Sequence, residues 1–175
     1  MKTPRAFTLL ELLVVVAIIG LLAGLILPAL NRARAAGKTT ACLGQLRQIS
    51  LALQMYVNDA GGRLPVLQNR ASITNDVPAL DTVLAPYAAG KREVFRCPAD
   101  AAGIFEASGT SYFWNFTVNG QDIGNLFSLA GGTEPTRVPL VSDKEGFHKE
   151  LTDRVLILYA DGHVSKELKF STSLP

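Results

Sequence analysis

The chain holds one stretch whose chemistry is unusual for its surroundings. Residues 7–30, FTLLELLVVVAIIGLLAGLILPAL, carry a single charged side chain, the carboxylate of Glu11. An acid costs about 2.5–3.5 kcal/mol at the centre of a membrane helix and less near the interface, so an acid retained in such a run is a candidate functional group. The remaining reactive side chains are sparse. Cys42 and Cys97 with His148 and His163 lack the paired short spacings of a zinc site, so no metal is expected from them. A hydrolase would need a Ser or Cys nucleophile beside one of the two histidines and an acid. The sequence has no nucleophile elbow, no His-Glu-x-x-His and no phosphate loop, and the reading is of a chain that is not an enzyme.

The element that must position Glu11 is a helix. From Leu12 to Leu30 no residue is charged, and 19 residues at about 1.5 Å each span roughly 29 Å, close to the hydrocarbon thickness of a bilayer. The preceding MKTPRA is short and basic, as in a secretory signal, yet the apolar run is longer than a signal core and has no cleavage site of small residues at its far end. Pro28 removes one helical hydrogen bond and is expected to kink the helix. Residues 31–58 continue it in amphipathic form: Leu43, Leu46, Ile49 or Ser50, Leu53 and Tyr56 fall three or four apart, with Arg47, Gln48, Gln54 and Asn58 off that stripe. Gly61, Gly62 and Pro65 then stop it.

Beyond residue 59 the chain is loop-rich. A helix is expected over residues 77–89 and an extended segment over 111–118 (SYFWNFTV), followed by strands over 137–142, 154–159 and 163–170. Asp161-Gly162 forms the turn between the last two. With 175 residues and 18.7 kDa there is room for one anchor and one modest soluble domain. The formal charge of +2 falls to zero without Lys2 and Arg5, and nothing points to a nucleic-acid partner.

RAFTLLELLVVVAIIGLLAGLILPAL resembles the N-terminal segment of type IV pilins and type II secretion pseudopilins, whose hallmark is a small residue, Phe-Thr-Leu, an apolar residue and Glu ahead of an apolar helix. The resemblance implies that residues 1–6 are a leader, that a prepilin peptidase cuts between Ala6 and Phe7 on the cytoplasmic side, and that the new Phe7 amine is methylated. Ala6 departs from the pattern, which mostly has Gly there. The resemblance further implies that Glu11 pairs with the Phe7 amine of a neighbouring subunit, and that Pro28 lies where pilin helices bend or melt on assembly. Two costly charges become tolerable in a membrane when paired.

The stretches TACLGQLRQISLALQMYVNDAGGRLP, VFRCPAD, SYFWN, VPLVSD and LYADGHV are similar to a large bacterial group of prepilin-type proteins whose C-terminal region carries His, nine residues, then Asp-Gly. Here twelve residues separate His148 from Asp161-Gly162, so the spacing departs and the Asp-Gly pair reads as a hairpin turn. The orientation implied by the family places Cys42 and Cys97 in an oxidising compartment. There they form a bridge closing a loop of about 55 residues, worth roughly 4 kcal/mol in the chain-entropy view, or remain two buried thiols. Some secretion pseudopilins hold calcium in a C-terminal loop, and Asp143, Glu145, Asp153 and Asp161 supply oxygens, without EF-hand spacing.

The expected architecture is α+β and pilin-like: a long N-terminal helix, transmembrane in residues 7–30 and amphipathic in 31–58, with a small antiparallel-sheet head in 59–175. The expected role is a pseudopilin or minor pilin without cofactor, single-pass in the bacterial inner membrane with its N-terminus cytoplasmic and its head periplasmic. Its expected partners are prepilin peptidase, copies of itself or other pilins, an inner-membrane assembly platform and membrane lipid. The alternative is a bitopic membrane protein that displays a ligand-binding or enzymatic head and never polymerises.

Overall fold

Leucine, valine, isoleucine and alanine fill the chain from Leu9 onward, and the first element is a single α-helix, α1 (Leu9–Asp59), that continues through Pro28. The structure, a computed structural model, describes residues 9–127 and 133–167. It divides into two units between Ala36 and Gly37. In the first, the side chains of α1 are exposed, Leu9 at 81% and Leu25 at 70% among them. In the second, residues 37–59 of α1 form a wall of the head.

The buried stripe of that wall is Thr39, Cys42, Leu46, Ile49, Ser50, Ala52, Leu53 and Val57. It is rotated slightly from the expected one: Leu43 and Tyr56 are only half-buried at its flank, while Cys42 is fully enclosed. The reason is covalent, because Cys42 is joined to Cys97 at the centre of the head. The helix stops where the glycine pair allows it. Gly61 and Gly62 adopt φ of 64° and 89°, and the Gly62 amide donates back to the Val57 carbonyl at 2.8 Å.

The expected helix over 77–89 is two short pieces, α2 (Leu80–Val83) and a single 3-10 turn, Pro86–Ala88. Pro86 has no N–H to give the Thr82 carbonyl, so α2 cannot run on. A third helix, α3 (Ile104–Ser108), is fastened by Asp100, whose carboxylate accepts from the amides of Ile104 (3.1 Å) and Phe105 (2.9 Å) and from the Ser111 hydroxyl (2.7 Å). Between α2 and α3 lies a buried ion pair, Arg70 with Asp81, and Arg70 Nε donates to the Ser108 carbonyl at 2.6 Å. Gly109 sits directly beside this pair at φ 82°, where any Cβ would strike the Arg70 guanidinium and the Asp81 carboxylate.

The sheet is a four-stranded antiparallel meander, β1 (Tyr112–Trp114), β2 (Pro139–Asp143), β3 (Ile157–Tyr159) and β4 (Val164–Ser165), in that spatial order. Tyr112 faces Asp143, Ser142 faces Ile157, and Leu158 faces Val164. The strands are shorter than their sequence patterns. In SYFWNFTV only Tyr-Phe-Trp pairs, because the Asn115 side chain accepts from Thr117 N and Oγ1 and turns the chain into a 3-10 turn. Leu168 and Phe170 of the expected last strand lie outside the described residues. The free edge of β1 is closed by a side chain: Asn69 donates to the Trp114 carbonyl and accepts from its amide, each at 2.7 Å, standing in for a neighbouring strand. Asp161-Gly162 turns β3 into β4 as expected, with Gly162 at φ 87°. A Cβ there would approach Ser50 Oγ and Gln54 Nε2 on α1 within 3.1 and 3.3 Å, so the hairpin turn rests on the helix.

Burial pushes the Asp100 carboxyl up, but the Ser111 hydroxyl and the Phe105, Ile104 and Ala102 amides outweigh it and hold its pKa below the usual aspartate range. Its stabilisation is therefore present above the unfolded-state pKa of about 3.9 and lost as pH falls through the lower folded value. Asp100→Ala is predicted to cost the head about 1–2 kcal/mol at neutral pH, as the loss of a helix cap does. That difference should vanish in acid when wild type and variant are melted side by side.

Candidate functional site

Two places in the chain concentrate polar chemistry where apolar residues dominate. The first is the start of α1. Glu11 lies in its first described turn on a surface of exposed leucine, isoleucine and valine. Ala6 and Phe7, the expected scissile pair, lie outside the described residues. The helix that follows is long and apolar enough to cross a membrane. Pro28 lies within it, and Arg32 and Arg34 follow on its exposed surface. Taken by residue type, this is a membrane-compatible surface bearing one carboxylate near its beginning.

The second is the centre of the head, and sequence reasoning missed it. The segment between β2 and β3 folds back on itself, with the His148 amide donating to the Arg154 carbonyl at 3.1 Å and Arg154 held at φ 58°. This carries the His148 side chain into the core, where it is 0% exposed. Its Nδ1 lies 2.9 Å from Thr39 Oγ1 on α1 and 3.6 Å from Glu150 Oε1, and the Thr39 hydroxyl donates to Glu150. Its Nε2 lies 3.3 Å from Asp143 Oδ2 and 3.6 Å from Cys97 Sγ. Asp143 Oδ2 also accepts from the Leu156 amide at 2.7 Å, while Oδ1 is buried without a hydrogen-bond partner.

The electrostatics follow from burial. Enclosure raises the Asp143 carboxyl above its ordinary range, with the His148 contact and the Leu156 amide offsetting only part of this. For Glu150, nearer the surface, the Thr39 hydroxyl, its own backbone amide and His148 overcome the burial cost and hold the carboxyl low. The Tyr112 phenol, beside this cluster in the core, is pushed well above its usual value by burial and by the charges of Asp143 and Asp100.

Cys42 and Cys97 form a disulfide with Cα atoms 5.2 Å apart, tying α1 to the segment before α3. Of the four carboxylates considered for calcium, Asp143 is turned inward to His148, and Asp161 is bonded to the His163 ring at 2.5 Å, which itself stacks on Tyr159. Among the described residues, the donor atoms of three or more Cys, His, Asp or Glu side chains gather within 4.8 Å at Cys42, Cys97 and His148. A signal for this cluster was present in the sequence as His148 in the C-terminal motif, but nothing local linked it to Thr39 or Cys97, more than a hundred and about fifty residues away respectively.

Residues 1–27 match the family model described as the prokaryotic N-terminal methylation motif, the signature of type IV pilins and pseudopilins. Neither the curated proteins nor the solved structures yield a match to the chain. The chain is thus prepilin-like at its N-terminus and α+β pilin-like in architecture, and motif and apolar helix together point to a membrane-anchored structural subunit.

The bridge gives a direct prediction. Non-reducing peptide mapping of protein from its native compartment should recover Cys42 joined to Cys97, and Cys97→Ser should lower the head's unfolding free energy by about 2–5 kcal/mol. Two freely alkylatable thiols in that preparation would contradict it.

Proposed function

We propose that this chain is a pseudopilin or minor pilin: prepilin peptidase removes residues 1–6 by cutting between Ala6 and Phe7, the Phe7 amine is methylated, and the subunit assembles into a type II secretion-like or type IV pilus-like filament. Before assembly, residues 7–30 span the inner membrane once, with the N-terminus cytoplasmic and the head periplasmic. The observation that carries this reading is the methylation motif running directly into an exposed apolar helix.

The physics of Glu11 supports the same reading. The new amine and the Glu11 carboxylate lie about one helical turn apart, so a neighbour staggered by roughly 5–6 Å brings one charge to the other. The incoming amine pairs with Glu11 of a subunit already in place while Leu10, Leu13, Val14 and Ala17 leave lipid for the packed core. Neither charge then crosses the apolar region bare. Pro28 supplies the position at which the helix adjusts during that transfer, and the inner-membrane assembly platform supplies the force. The head, residues 59–175 with the outer helix 31–58, is displayed outside the membrane.

Glu11→Ala makes the span more apolar, so insertion and cleavage at Ala6 should persist. Incorporation into sheared filaments should fall by more than ten-fold, since stranding one buried charge costs about 3–5 kcal/mol, with Glu11→Asp falling less. Co-expression with the assembly machinery, comparing sheared with membrane-retained protein, decides it. Wild-type incorporation of Glu11→Ala would remove the pairing mechanism, and absence of wild-type protein from any filament would favour a bitopic protein that does not polymerise.

A further inference from the structure

Around His148, two sulfurs held in a disulfide and one imidazole nitrogen gather with a carboxylate beside the nitrogen. In a tetrahedral zinc site, bonds of about 2.3 Å to sulfur, 2.0–2.1 Å to nitrogen and 2.0–2.2 Å to oxygen put nitrogen and sulfur about 3.6 Å apart and nitrogen and oxygen about 3.4 Å apart. His148 Nε2 lies 3.6 Å from Cys97 Sγ and 3.3 Å from Asp143 Oδ2. The Cys42 sulfur, the Cys97 sulfur and a ring nitrogen of His148 all lie within 4.8 Å of one another, with Asp143 outside that trio as the neighbour of Nε2.

The surroundings of the imidazole fix its orientation as a ligand's is fixed. Thr39 Oγ1 spends its hydrogen on Glu150, so its lone pairs are left to accept from His148 Nδ1–H, the orientation in which Nε2 is the nitrogen that can serve as a ligand. Metal-binding histidines characteristically hand their other N–H to just such an oxygen relay. Nε2 then faces the carboxylate of Asp143 across 3.3 Å, and the second oxygen of that carboxylate is buried with no hydrogen-bond partner. In the oxidised protein a proton shared across that contact satisfies the pair, and a metal ion bound at Nε2 would release it to solvent.

We propose that, once the Cys42–Cys97 bridge is reduced, Cys42, Cys97, His148 and Asp143 bind one zinc ion as a four-coordinate structural site. The bridge and the metal are alternative staples between α1 and the segment around Cys97, and the metal would add β2 and the β2–β3 connection. Opening the bridge takes two electrons from a dithiol, which leaves as its own disulfide, and yields two cysteine thiols. The metal then displaces their two protons to solvent, and the two sulfurs separate by side-chain rotation to about 3.8 Å. This inference is independent of whether the chain enters a filament.

The test uses the full mature chain in detergent. One sample is left oxidised; the other is reduced with a dithiol, freed of it by gel filtration under argon, and both are titrated with Co2+. The reduced chain should develop tetrahedral cobalt bands with thiolate charge transfer, saturating at one equivalent and erased by stoichiometric Zn2+, while the oxidised chain shows none. His148→Ala and Asp143→Asn should each weaken cobalt binding at least roughly ten-fold, and His163→Ala should leave it unchanged. Should those variants fail to fold, X-ray absorption of the zinc-loaded reduced wild type decides alone: two sulfur and two nitrogen or oxygen neighbours are expected. A reduced chain without thiolate bands, a zinc shell of nitrogen and oxygen only, or bands lost in His163→Ala would overturn the assignment.

Discussion

A helix that presents leucine, isoleucine and valine to its surroundings on every side imposes the first condition on everything else in this chain. Between Leu9 and Leu30, fifteen large apolar side chains are exposed. Scaled to their exposures of 40–81%, even the lower end of the transfer cost, about 1.5 kcal/mol for a whole side chain, sums to roughly 13 kcal/mol in water. That is as large as the entire net stability of a typical domain, about 5–15 kcal/mol. Water is therefore not their medium. Lipid and the equivalent helices of other subunits are two environments that remove this cost, and the proposed assembly uses both in succession. Glu11 is tolerable only under the same condition, since a carboxylate within that surface must meet an opposite charge wherever water is excluded.

The head solves a different problem. Its sheet is built from strands of three, five, three and two residues, too little regular hydrogen bonding to hold a long loop-rich segment by itself. Side chains take over that work. Asn69 closes the β1 edge, Asn119 holds the Trp114 indole and the Leu67 backbone, and Asp100 fastens α3. At the centre, the disulfide and His148 join α1, the segment before α3 and the β2–β3 connection. Breaking one partner in such a buried polar group strands the others, so these contacts specify one arrangement of loops that apolar packing alone would leave loose.

How much of this was legible from sequence depends on the range of the interaction. The apolar helix, its glycine stop, the Asp-Gly turn and the α+β order all come from patterns within a few residues, and they emerged with only boundary shifts. The strand pattern in SYFWNFTV overreached because Asn115 competes locally for the backbone. The outer helix stripe turned by a fraction of a turn because Cys42 is drawn inward by a partner 55 residues away. The His148 cluster was illegible for the same reason in stronger form. Spacing rules find metal or catalytic groups that lie close in sequence, whereas Thr39, Cys97, Asp143 and His148 are brought together only by the tertiary fold of helix, sheet and connection.

The central claim is that the apolar helix begins as a processed prepilin N-terminus, and the mass of the mature protein tests it most directly. Protein purified from membranes of cells with active prepilin peptidase should have lost residues 1–6 and begin at a Phe7 carrying one methyl group on its amine. An intact chain still starting at Met1 under those conditions would contradict the account.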